Sequence, residues 1–287
     1  MSEARHYGRN KHLLPRTLAR ALSTLAFLTA LSAVLEAIPS VNGRNEQVAQ
    51  QNMIVPLYVD PNLGDGKETW QKACSTLHGG SVIANPFNGP GPEFNQNYAD
   101  AIEYCLNHGV QVLGNVNTDY GMTDLNSIIA DIDHWFAWYP DLDGILMNQV
   151  STDVSTKGYY EAIHDHVKTD ESRVIVGDPG TASEESDWHL QVADVVIIYE
   201  GPGAGFDTVP SWVMTADQDR VGALMYGVPT EAEMRQLVER SRTENIGNMF
   251  VTQVTQEGPW NGIPDYFKEE RLAVMGPLTL HLPQVAR

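Results

Sequence analysis

The sequence predicts a (β/α)8 barrel, the TIM-barrel form of the α/β class, over residues 53–287. Three observations carry this expectation. Eight short runs rich in β-branched residues recur along that stretch, and each is followed by an amphipathic segment or a short helical one. The runs are close to continuously apolar, as parallel strands covered on both faces must be. A doubly wound open sheet would carry a Gly-rich dinucleotide turn after its first strand, and none follows here.

The expected strands are "MIVPLYV" (53–59), "SVIAN" (81–85), "VQVLGNV" (110–116), "GILMNQV" (144–150), "RVIVGD" (173–178), "DVVIIYE" (194–200), "VGALMYG" (221–227) and "NMFVTQV" (248–254). Between them, "NQNYADAIEYCLNHG" sets Tyr98, Ile102, Cys105 and Leu106 on one stripe and meets a stop at Gly109. "TDLNSIIADIDHWFAWYP" opens with Thr123 as N-cap and stops at Pro140. "STKGYYEAIHDHVKTD" and "PTEAEMRQLVERSRTEN" read as helices of the same kind. "WQKACSTLHGG", "SEESDWHLQV", "PSWVMTADQ" and "DYFKEERLAVMG" are shorter, and complete eight helices.

Composition narrows the function. The chain of 287 residues has a formal net charge of -19, with six Lys and Arg against three Asp and Glu in residues 1–50 and 12 against 34 in the rest. So acidic a body repels phosphate backbones, and nucleic acid is not expected as a partner. Arg5, Arg9, Lys11, Arg16 and Arg20 precede the apolar run Ala21–Ile38, which describes a signal sequence or membrane anchor over residues 1–38. A polar linker follows at 39–52, and contact with a membrane is expected only through the leader, if it is retained. The expected location is extracellular or cell-envelope. Cys74 and Cys105 fall in successive helical segments; a disulfide and two buried thiols are both compatible with that, and two thiols alone make no metal site.

In a barrel of this kind the active site gathers at the carboxyl ends of the strands. Those positions hold Tyr58 and Asp60; Asn85, ahead of "PFNGPGP"; Asn115, Asn117, Asp119 and Tyr120; Asn148 and Gln149; Asp178; Glu200; Tyr226; and Trp260 in the last loop. Amides and carboxylates match the hydrogen bonds of a hydroxyl-rich ligand, and aromatic faces pack on sugar rings. A phosphate pocket would want Gly-rich loops or basic side chains. The histidines are scattered and no G-x-S-x-G elbow occurs, so neither a metal, a cofactor nor a serine nucleophile is expected. The expected partner is a polysaccharide or oligosaccharide. Glu200 ends an apolar strand, where burial would raise its pKa and suit it to general-acid work; capping a loop or pairing with a cation is the alternative. Asp60 and Asp119 read first as turn-ordering residues, and Asp178, ahead of Pro179, can equally be one.

The stretches "VPLYVDP", "VIANPFNGPG", "NYADAI", "VLGNVNTDYG", "DIDHWFAWYPDLDGI", "DPGT", "ADVVIIYEGP" and "PW…IPDYF" resemble, in order, the spherulin-4-like or spherulation-specific family. The resemblance implies a glycoside-hydrolase-like barrel acting on or binding a galactosamine-type polysaccharide, with a catalytically silent carbohydrate-binding barrel of the cell envelope as the alternative. It also exposes departures. Where the family usually has Asp-Glu, this chain has Asn148-Gln149; where it tends to have Tyr-Val-Asp-Thr, this chain reads Asn115-Val116-Asn117-Thr118; "NPGT" becomes "DPGT" with Asp178. Glu200 alone stands unchanged among the acids the resemblance implies. Glycoside cleavage normally uses two carboxyl groups, and an amide neither donates nor accepts that proton. Asp178 and Glu200 close strands expected to lie side by side, so they are the candidates to replace the missing pair.

Overall fold

The computed structural model describes residues 51–276. The expected leader, the linker up to residue 50 and residues 277–287 lie outside them. Eight parallel strands close into a ring in sequence order: β1 (Asn52–Leu57), β2 (Ser81–Ala84), β3 (Gln111–Asn117), β4 (Gly144–Asn148), β5 (Val174–Asp178), β6 (Val195–Pro202), β7 (Val221–Tyr226) and β8 (Asn248–Val251). The ring shuts where Asn52 and Met53 pair with Asn248 and Met249. Outside it stand α1 (Gly66–Leu77), α2 (Gln96–Leu106), α3 (Leu125–Trp138), α4 (Lys157–Val167), α5 (Glu231–Thr243) and α6 (Phe267–Met275).

Strand residues such as Val55, Val82, Val112, Ile145, Ile175, Val196 and Phe250 are buried, and apolar helix faces cover the outside of the ring. One contact fixes a sequence choice. A Cβ on Gly114 of β3 would stand 2.5 Å from the Trp135 ring of α3, so only glycine lets this helix seat against the sheet. The same indole donates to the Asn115 carbonyl at 2.8 Å. Cys74 of α1 and Cys105 of α2 are joined as a disulfide.

The expectation of eight α-helices needs correction: six α-helices stand among the described residues. The segments after β5 and β6 form only 3-10 turns, at Asp187–Gln191, Val213–Thr215 and Gln218–Arg220. Side chains from elsewhere take carbonyls that a continuing helix would need. Arg220 donates to Leu190 O and Ala193 O, while Asn245 donates to Val213 O and Ala216 O. The cap of α3 is Asp124 rather than Thr123, because the Thr123 hydroxyl donates instead to Asn117 O. α2 ends at Leu106, ahead of the left-handed Gly109.

Most strand ends differ from the expected bounds by one to three residues, and two of these differences shape the mouth of the barrel. β4 stops at Asn148, since Gln149 turns to φ 53° and leaves the ladder. β6 runs past Glu200 to Pro202, with a register shift between Ile197 and Tyr199 against β7.

Candidate functional site

A cavity of about 380 Å³ opens at the carboxyl end of the barrel. It brings together Tyr58, Tyr120, Asn148, Gln149, Asp178, Glu200 and Trp260, drawn from six different strands or the loops behind them. Pro179, Gly180, Thr181 and Leu224 complete the lining. Pro179 to Thr181 lay inside a motif already singled out, but Leu224 carries no signal that separates it from any other strand residue.

The floor is set by register. Asn117, Asn148 and Asp178 are Cα partners across β3, β4 and β5, so the strands deliver their last residues at one level. Pairing of β5 with β6 stops at Gly177 and Val196, and the irregularity in β6 then lets Glu200 come level with the β5 turn. There the Glu200 amide donates to Gly180 O at 2.9 Å, and Gly180 N donates back to Asp178 Oδ1 at 2.9 Å. Gly180 sits at φ 66°, a conformation that a side chain would strain.

Asp178 is buried, with the Glu200 carboxyl beside it. Burial first, and the Glu200 charge beside it second, hold the Asp178 carboxyl well above the usual carboxylate range. Glu200 Oε1 accepts from the Trp260 indole at 3.0 Å. Tyr58 stays a neutral phenol: burial, then the charges of Asp178 and Glu200, raise its pKa far above the ordinary value. Its hydroxyl faces Asn115 Oδ1 at 3.5 Å, and Asn115 in turn donates to Asn85 Oδ1 at 3.3 Å.

The β4 side is built differently. Asn148 Oδ1 accepts from the Gln149 amide at 2.8 Å, bending the chain into its left-handed turn. Buried Thr118 directs its hydroxyl at Asn148 O (3.0 Å) and Gln149 O (2.7 Å), and Tyr160 takes the Ser151 N–H at 2.8 Å. His189 Nε2 meets Ser151 O at 2.9 Å, and burial lowers the pKa of that imidazole so that it stays neutral. None of these three supports stood out in the sequence, because each acts from behind the lining.

The remaining residues of the sequence-derived set lie apart from this cavity. Asn85 bonds to Asn115 and Asn88. Asn117 accepts from Asp119 N, and Asp119 itself sits at φ 45° in a turn. Tyr226 packs edge-on against Trp260 at 6.1 Å. Asp60 faces a second cavity, beside the β1 and β2 loops.

Fold and site together define a (β/α)8 barrel with a polar, aromatic-lined mouth holding two carboxyl groups. The family model of spherulation-specific family 4 matches residues 52–274, and the chain belongs to that family. Spherulin-4 of Physarum polycephalum is 31% identical over 172 residues, which cover 57% of this chain and 49% of that protein. The match therefore spans about half the length of that relative. Among solved structures, Aspergillus clavatus Sph3 in complex with GalNAc has a TM-score of 0.67 at 22% identity, over 79% of this chain and 98% of that one. An endo-beta-N-acetylglucosaminidase from Cordyceps militaris has a TM-score of 0.55 at 13% identity, over 79% and 92%. Both likenesses are of fold.

Proposed function

We propose that this is an exported, glycoside-hydrolase-like barrel that binds an amino-sugar polysaccharide of galactosamine type in its mouth and does not cleave it efficiently. The observation that carries this reading is the distribution of acid in the mouth. The lining holds two carboxyl groups, Asp178 and Glu200, both on the β5 and β6 side, while the end of β4 presents two amides. Hydrolysis with retention wants carboxyl groups about 5 Å apart and inversion wants about 6.5–9.5 Å, so that sugar or water fits between them. The β4 side supplies amides where a carboxyl partner would stand, and an amide neither donates nor accepts that proton. What remains is suited to holding a sugar: amides and carboxyl groups for hydroxyl and acetamido groups, with Tyr58, Tyr120 and Trp260 for the ring faces.

Family membership and the GalNAc bound to Sph3 support the choice of amino sugar. The basic and apolar leader supports export. The test is incubation with a galactosaminogalactan-type polymer, following retention of the protein on the polymer and release of reducing ends. Retention without release is the expected result; absence of retention overturns the reading.

One observation favours a second reading. Asp178 keeps its proton where an ordinary aspartate has lost it, which fits a general acid with Glu200 as its carboxylate partner. Reducing-end release that Asp178→Asn abolishes supports that hydrolase; release that Asp178→Asn leaves unaltered removes Asp178 from it.

A further inference from the structure

The second cavity, of about 440 Å³, lies between the loops that follow β1 and β2. Asp60, Phe87, Glu93 and Phe94 face it. Chain connectivity makes it a neighbour of the barrel mouth. Tyr58 lines the mouth, and Asp60, two residues on, lines this cavity; Asn85 ends the hydrogen-bonded row from Tyr58 through Asn115, and the next residue, Pro86, lines this cavity too.

Its aromatic content has no structural explanation in the core. Phe87 is 78% exposed and Phe94 44%. Holding a phenyl ring in water at the end of a strand is unfavourable unless something covers it. Phe94 is braced by stacking on Tyr139 at 5.6 Å, and the Tyr139 hydroxyl takes the Asn95 amide at 3.2 Å. Pro86, Pro90 and Pro92 restrict the same loop. A ring held in place this way loses little freedom when a ligand lies on it.

Charge then narrows the occupant. Asp60 and Glu93 line the cavity, no lysine or arginine does, and neither acid takes part in an ion pair among the described residues. Asp60 is fixed by its turn, where one carboxylate oxygen accepts from Asn62 N at 2.8 Å. An aromatic platform flanked by carboxylates suits a sugar bearing an ammonium group: the ring covers the phenyl face and the cation meets the acids.

We propose that this cavity is a subsite for a further residue of the bound polymer, selective for a hexosamine whose amine is free rather than acetylated. The proposal rests on the mouth being a glycan cleft, and the experiment separates the two. The probes are galactosamine and N-acetylgalactosamine oligomers of one to six units, titrated calorimetrically into the full chain. Hexamers of free galactosamine bind more tightly than acetylated ones, and the difference shrinks as salt rises. Phe87→Ala weakens the hexamer about tenfold and leaves the single sugar unchanged, in line with the loss of one stacked ring. Asp60→Asn, which keeps the turn's acceptor, and Glu93→Gln each narrow the preference for the free amine. Hexamer binding that Tyr120→Ala weakens, but that Phe87→Ala and Glu93→Gln leave untouched, overturns the subsite alone. No hexamer binding by the unaltered protein overturns the mouth as a glycan cleft and this proposal with it.

Discussion

At the end of β4, Asn148 and Gln149 stand on a backbone turned to φ 53° and gripped by Thr118, Tyr160 and His189, groups that carry no charge at neutral pH. On β5 and β6, Asp178 and Glu200 are tied through the Gly180 turn, and burial and the neighbouring Glu200 charge raise the Asp178 pKa. The first side of the mouth is fixed by hydrogen bonds among groups that are neutral at pH 7. The second holds a buried carboxyl whose raised pKa makes its charge change with pH. The acid side is therefore the more pH-sensitive of the two.

The largest expected effect comes from making the two sides alike. Asn148→Asp together with Gln149→Glu restores acids on a backbone that is already in place, and the rate of reducing-end release from a galactosaminogalactan-type polymer should rise by at least about 10³-fold, as catalytic carboxylates are typically worth several kcal/mol. No rise would mean that the amide side does not face the scissile bond. Next, Tyr160→Phe takes away the acceptor for the Ser151 N–H and should cost about 1–3 kcal/mol in chemical denaturation, the range for leaving a buried donor unpaired. Its loss should be the same at pH 5 and pH 8, because nothing it touches titrates there.

The acid side should behave in the opposite way. The folded pKa of Asp178 lies above its unfolded value, so its favourable contribution is complete below the unfolded value of about 3.8 and is lost as pH rises towards the folded one. Thermal melting followed against pH should fall over that window, and Asp178→Asn should flatten the fall. Glu270 adds a second decline of the same sign: it is buried under β8 with Oε1 accepting from Val251 N, and burial raises its pKa well above normal. Glu270→Gln isolates that part without touching the mouth. The smallest effect is expected for Trp260→Phe, which keeps an aromatic wall but removes the donor to Glu200; oligosaccharide affinity measured by calorimetry should drop only a few-fold, as for one ordinary hydrogen bond.

Much of this was legible in the sequence, for identifiable reasons. Strands such as "GILMN" and "VIVGD" are buried on both faces and so announce themselves by continuous hydrophobicity, and the rule that function gathers at strand ends pointed to Tyr58, Asn148, Asp178 and Glu200. The 3-10 turns after β5 and β6 were hidden because what stops them from being helices is Arg220 and Asn245, remote in sequence from the carbonyls they occupy. The alignment of Glu200 with the turn after Asp178 depends on an irregularity inside β6 that no residue pattern marks. Phe87 and Phe94 sit in a Pro- and Gly-rich loop that the sequence flagged only as a loop, since exposure of an aromatic is a tertiary property.

The covalent link between Cys74 and Cys105 also bears on how the ring assembles. It joins two helices of the first half-turn of the barrel, whereas the seam between β1 and β8 waits for Asn248 and Met249. A polypeptide emerging amino end first, in an oxidising compartment, can lock its opening units together well before the final strand is available to complete the circle. Those units then meet the last one as a pre-tied template, which lowers the entropy still to be surrendered at the pairing most distant in sequence.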